Sequence, residues 1–139
     1  MNATSPAQLL TEARTIAVVG MSTDPSKPSH FAPMELVNRG WNVVPIHPTA
    51  TEIAGRTAYR SLSEVPGQVD LVNVFRPADE APGIAREAAS LGVRTLWLQR
   101  GIVSAEARSI AEQAGMAYVE DTCAGATSAQ LNLRPAGVS

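Results

Sequence analysis

Three segments of the sequence repeat one order of signals: an amphipathic stretch, a glycine, then a short β-rich apolar run. They are Val37-Asn38-Arg39-Gly40-Trp41-Asn42-Val43-Val44, Ser90-Leu91-Gly92-Val93-Arg94-Thr95-Leu96 and Gln113-Ala114-Gly115-Met116-Ala117-Tyr118-Val119. A glycine at that point reads as the left-handed residue that closes a helix. The run behind it is apolar on both faces, as a strand must be when helices cover both sides of its sheet. Three helix-to-strand units in 139 residues therefore predict an α/β chain with a mostly parallel sheet and right-handed crossovers.

The remaining elements follow from related signals. Thr15-Ile16-Ala17-Val18-Val19 is a β-branched run ending at Gly20, and reads as the first strand. Asp70 to Phe75 is another, set off by the breaker Val65-Pro66-Gly67. With the three glycine-led runs this makes five strands in a Rossmann-like three-layer sandwich, formed by residues 1–139 as one domain. Ala7 to Ala13 predicts a short N-terminal helix. The stretch from Pro48 to Leu62 carries little pattern beyond a helical turn expected near Thr51 to Ala54. Pro33 is expected near the start of the first crossover helix, where a missing N–H costs little. Pro45 lies inside the second strand, which suggests a sheet edge or the last paired residue.

Composition narrows the class of function. No apolar run approaches the ~20 residues needed to span a bilayer. Met1 to Pro6 lacks the basic start and apolar stretch of a signal peptide. Cys123 is the single cysteine, so one chain can build neither a disulfide framework nor a cysteine-based zinc site. These features point to the cytoplasm, with no membrane partner and no metal. A net charge of −2 argues against a general nucleic-acid binder. An anionic ligand must then find its positive partners locally.

In open parallel sheets, ligands bind beyond the carboxyl ends of the strands, where the strand order reverses. The first strand is followed by Gly20-Met21-Ser22-Thr23-Asp24-Pro25-Ser26-Lys27-Pro28-Ser29-His30, and the second by His47-Pro48-Thr49. The third leads into Arg76-Pro77 and the fourth into Gln99-Arg100-Gly101. Three of these four ends carry a cation: Lys27, the only lysine in the chain, Arg76 and Arg100. Arg14 and Arg94 fall at strand starts, on the opposite edge. The first loop adds small residues and hydroxyls ahead of a helix N-terminus, which favours an anion. Together these describe a phosphate site, with Lys27 as a point charge and Arg76 or Arg100 gripping a phosphate or a base edge. Taken singly, Ser22 and Ser29 read equally well as turn and N-cap residues.

The first loop has neither G-x-G-x-x-G nor G-K-[ST], so it is neither a standard dinucleotide loop nor a P-loop. A NAD-binding domain usually ends its second strand on an acid. Here that place holds His47-Pro48, and no carboxylate follows until Glu52.

Val18-Val19-Gly20-Met21-Ser22, Pro25-x-Lys27-Pro28-Ser29, Val44-Pro45-Ile46-His47-Pro48, Val69 to Arg76, and Trp97-Leu98-Gln99-x-Gly101 occur in one order. With Gly55, Tyr59 and Ser61-Leu62 between them, they resemble the coenzyme A-binding domain family. The chain looks like a stand-alone member, similar to the first domain of the succinyl-CoA synthetase α-subunit. The resemblance runs from roughly Thr15 to Cys123. It implies coenzyme A, or an acyl-CoA, lying across the carboxyl edge of the sheet. Gly20, Ser22, Lys27 and Ser29 would hold the phosphates. Pro48, Phe75, Arg76 and Gln99 would flank the adenosine portion, and Met21, His47, Arg100 and Gly101 complete the expected cofactor-binding set.

Two departures bear on that carry-over. The family usually has Asn-Pro where this chain has His47-Pro48. Near the C-terminus it often reads Asp-Arg-Cys followed by a proline and an Ile-Glu pair, where this chain has Asp121-Thr122-Cys123-Ala124-Gly125-Ala126.

Nothing in the sequence assembles a catalytic constellation. His30 and His47 are the only histidines, and neither belongs to a serine–carboxylate arrangement. Both read as capping or ligand-contact residues. Cys123 follows the fifth strand on the ligand side, where a thiol could form a mixed disulfide with coenzyme A or lie inert and partly buried. The reading is a binder without catalysis of its own, serving a partner enzyme or acting as a homo-oligomer. A small NAD-dependent Rossmann enzyme and a regulatory protein with a decayed ligand site are the alternatives.

Overall fold

The structure is a computed structural model that describes residues 5–137; Met1 to Thr4, read above for targeting signals, lie outside the described residues. In chain order the elements are α1 (Pro6–Glu12), β1 (Thr15–Val19), α2 (Pro28–Asn38), β2 (Asn42–Ile46), β3 (Glu52–Ile53), β4 (Arg56–Thr57), β5 (Leu71–Val74), α3 (Ala81–Ser90), β6 (Thr95–Leu98), α4 (Ala105–Gln113), β7 (Ala117–Val119) and α5 (Ala124–Gln130). The five-stranded sheet has the order β2-β1-β5-β6-β7, and every neighbouring pair is parallel. The expected Rossmann-like α/β sheet is what forms.

Alternation along each strand sends side chains into two separate cores. Ile16, Val18, Leu71 and Trp97 pack on one face with Leu10, Leu36 and Ala124. Ala17, Val72, Val74, Leu96 and Leu98 pack on the other with the alanines of α3 and α4. Helices α1, α2 and α5 thus cover one side, and α3 and α4 the other. Gly40, Gly92 and Gly115 all have positive φ (108°, 74° and 76°), as expected of helix-closing glycines.

Both tryptophans anchor their surroundings by their indole N–H groups. Trp41 Nε1 donates to the carbonyls of Leu10 and Ala13, each at 3.0 Å, fastening α1 to the start of β2. Trp97 Nε1 donates to the Thr122 carbonyl at 2.8 Å, holding the segment between β7 and α5. At the amino edge, Asp70 Oδ2 accepts the N–H groups of Arg14 and Thr15, each at 3.0 Å.

Two expectations are corrected. The helical turn near Thr51 to Ala54 is instead the first arm of an antiparallel hairpin, β3 with β4, turned by Ala54 and Gly55 at positive φ. Two-residue strands are too short to show periodicity. Pro33 is not at the helix start, because α2 begins already at Pro28 and encloses it. A proline there leaves the carbonyl four residues back without a helical donor. That carbonyl belongs to Ser29, and it accepts the N–H of Ser22 at 3.1 Å instead. Pro45 is paired with Val18 within β2, which is an edge strand of the main sheet, as its proline suggests.

Candidate functional site

The strand order reverses between β1 and β5, so the loops that leave these strands part and open a crevice at the carboxyl edge. A cavity of about 490 Å³ lies there, within the usual range for small-molecule sites. Its floor is the exit of β1, with Gly20, Met21 and Ser22; Lys27 and Ser29 come from the start of α2. His47 and Pro48 close it from the end of β2, and Phe75 and Arg76 from the end of β5. Nine of the twelve residues singled out in the sequence are therefore brought together. Gln99, Arg100 and Gly101, beyond β6, lie outside this cavity.

The first loop is braced by its own hydrogen bonds. Ser22 Oγ accepts the N–H of Asp24 at 3.0 Å, and Asp24 Oδ1 accepts both the N–H (3.0 Å) and the hydroxyl (2.8 Å) of Ser26. The Ser26 N–H, then its hydroxyl, hold the Asp24 carboxyl below its ordinary value. His30 Nδ1 lies 2.8 Å from the Ser22 carbonyl, which can only accept, so the nitrogen donates. Lys27 is the N-cap of α2; no side chain caps that helix and no acid occupies its first turn. An anion would find there the positive end of the helix dipole beside an ammonium group. Ser29 is a helical residue and not the N-cap.

Arg76 is less available than the sequence suggests. Its Nε donates to Glu80 Oε1 at 3.0 Å and its Nη2 to Glu80 Oε2 at 2.7 Å. The hydrogen bonds from Arg76 hold the Glu80 carboxyl below its ordinary range. Glu80 itself lines the cavity, as do Arg60 and Ile84; none of the three was singled out in the sequence. Arg76 lies in the loop ahead of an extended Pro77, so the helical four-residue rule did not announce its pairing with Glu80. Arg60 had no local signal either.

His47 turns inward on its own chain: Nδ1 accepts the N–H groups of Thr49 (3.1 Å) and Ala50 (2.9 Å) and therefore carries no proton. Cys123 is buried, caps α5 by accepting the N–H of Ala126 at 3.4 Å, and does not line the cavity. Gln99 Oε1 is the buried side-chain polar atom left without a partner among the described residues. A second hollow, of about 370 Å³, lies at the amino edge beside Asp70 and Arg94. It is on the opposite edge from the switch point, and the Asp70 carboxylate in its wall already serves two backbone N–H groups.

The sequence profile described as CoA binding domain matches residues 14–129. The chain belongs to the CoA binding domain family. Among its relatives, an uncharacterized Bacillus subtilis protein, YneT, is 34% identical over 116 residues, covering 84% of this chain and 86% of that one. The α-subunit of the ADP-forming acetate–CoA ligase II of Pyrococcus furiosus is 29% identical over 131 residues; the match takes in 86% of this chain but 29% of the ligase subunit. Among solved structures, a hypothetical protein from Pyrococcus horikoshii OT3 superposes with a TM-score of 0.88 at 25% identity, covering 95% of this chain and 99% of that one. The match thus spans most of the Bacillus subtilis protein and less than a third of the ligase subunit.

Proposed function

We propose that this CoA-binding domain holds coenzyme A, or an acyl-CoA, in the cavity between the ends of β1, β2 and β5, and performs no chemistry on it. The observation that carries this reading is the uncapped start of α2 at Lys27, set in the wall of a cavity at the switch point. The diphosphate would lie against that helix start, over Gly20 and Ser22. The adenosine would extend towards His47-Pro48 and Phe75. The cavity suits the nucleotide end of the ligand, and the pantetheine arm would continue along the carboxyl edge, where Gln99, Arg100 and Gly101 follow β6.

The absence of chemistry is supported by what the candidate groups already do. Among the described residues neither histidine ring is hydrogen-bonded to a serine hydroxyl or a carboxylate, and the Cys123 thiol is buried. A NAD-dependent reading lacks the carboxylate that would hold ribose hydroxyls at the end of β2.

Isothermal titration of the reduced protein with coenzyme A tests the proposal. Saturable one-to-one binding is expected, weakened by about 1.5–3 kcal/mol in Lys27→Ala. Folded protein that shows no saturation with coenzyme A, or an unaltered affinity in the variant, would refute the placement.

A further inference from the structure

Three cationic side chains line the cavity: Lys27, Arg60 and Arg76. Arg76 is held by both oxygens of Glu80. Neither Lys27 nor Arg60 is in an ion pair among the described residues. The cavity therefore presents two uncommitted positive charges, on different walls. Lys27 belongs to the start of α2. Arg60 belongs to the segment that runs beside β2.

The backbone fixes that second position. Tyr59 donates its N–H to the Pro45 carbonyl at 3.0 Å and accepts the N–H of His47 at 2.8 Å, extending the sheet by one parallel bridge to Ile46. Arg60 is the next residue, so it is delivered to the exit of β2 beside His47-Pro48. Its N–H donates to Glu64 Oε1 at 3.1 Å, while its guanidinium is in no ion pair among the described residues. The neighbouring turn is braced in turn by His47 Nδ1.

In nucleotide-binding sheets of this kind the end of the second strand faces the ribose. An acid there selects free hydroxyls, and an arginine there accommodates a phosphate carried on the ribose. This chain has no carboxylate at that place and has an arginine. Coenzyme A carries a phosphomonoester on its ribose 3′-oxygen, separate from the diphosphate. We propose that Arg60 binds this ribose phosphate and makes the site select coenzyme A over its 3′-dephospho form. The proposal rests on the CoA reading above and gives the two uncommitted cations separate tasks: Lys27 the diphosphate, Arg60 the monoester.

The test is calorimetric titration of the wild-type chain and Arg60→Ala with coenzyme A, 3′-dephospho-coenzyme A, NADP and NAD, with thermal melts to confirm folding of the exposed-site variant. The wild type should bind coenzyme A about tenfold tighter than the dephospho form, the scale of one charge-assisted contact. Arg60→Ala should bind both alike, with the dephospho form unaffected. Equal weakening of both ligands, or a preference that survives the substitution, would overturn the assignment. If the wild type binds neither form of coenzyme A, the CoA reading falls separately. A preference for NADP over NAD that Arg60→Ala abolishes would then keep Arg60 as a ribose-phosphate contact for another nucleotide, and no such preference would remove it altogether.

Discussion

The aliphatic stem of Arg76 lies directly across the α-carbon of Gly20: a β-carbon on residue 20 would stand 2.8 Å from Arg76 Cδ and 3.1 Å from the Phe75 carbonyl oxygen. The first loop and the third main-sheet strand meet at this contact, and both form the cavity. The arginine cannot swing away freely, because its head is held at two points by Glu80. Gly20 also has a φ of +92°, which a residue with a side chain adopts only at a cost.

Gly20→Ala should therefore lose stability and affinity together. Backbone strain alone costs about 1–2 kcal/mol, and relief of the crowding must displace either Arg76 or the loop that carries Ser22. Urea denaturation and titration with coenzyme A would measure the two losses. A variant with unchanged affinity would show that the loop and Arg76 do not act on the ligand from this junction.

The sheet was readable because its signals are local and repeated. Gly40, Gly92 and Gly115 each mark a helix end, and the apolar runs behind them are the strands β2, β6 and β7, of which the inner strand β6 is buried throughout. Lys27 was readable for the same reason, lying between a strand end and a helix start. Arg60 was not. Its place depends on Tyr59 pairing with β2 across a connection of more than ten residues that contains only a two-residue hairpin. Nothing local announces such a contact. The role of Pro33 was hidden differently: the proline was visible, but the loop N–H that takes the vacated Ser29 carbonyl is a tertiary partner.

A second glycine is fixed by packing and not by its φ. A β-carbon on Gly125, in α5, would run into the backbone carbonyl of Ala32 in α2. The obstacle is main chain on both sides, so no rotamer change relieves it. Gly125→Ala should cost about 1–3 kcal/mol, as overpacking of a fitted interface does. Chemical denaturation would show it. A neutral result would mean that α5 can shift off α2 without loss.

Alkaline pH should expose a latch at the sheet edge. Tyr118 Oη lies 3.1 Å from the Ser104 carbonyl and 2.8 Å from Glu120 Oε1, and Arg108 stands over the ring at 5.0 Å from its centre. Burial, then the Glu120 carboxylate, raise the Tyr118 pKa well above its ordinary value of 10. A raised value in the folded state means that the contribution is fully present below pH 10 and is lost as the pH climbs towards the folded-state value. Tyr118→Phe should be less stable near neutrality by about 1 kcal/mol, the worth of one such bond. The gap between the two proteins should narrow above pH 10. Thermal melts of both across that range would detect it, and a constant gap would contradict the latch.

Glu80 places a negative charge in the wall of a cavity read here as a site for phosphates. It also holds Arg76 in place, so its removal has two opposed effects. Glu80→Gln separates them, since the amide keeps an oxygen acceptor for Arg76 and drops the charge. The side chains of Arg76 and Glu80 are 46% and 45% exposed, so solvent and salt screen the pair. The carboxylate repels an anionic ligand and competes with it for the guanidinium; in the variant the repulsion vanishes and the competition weakens to that of a neutral acceptor. Affinity for coenzyme A should rise by about two- to tenfold at low salt, and the gain should shrink as salt is added. Weaker binding in Glu80→Gln would instead show that Arg76 serves the ligand only while both its nitrogens are held by the carboxylate.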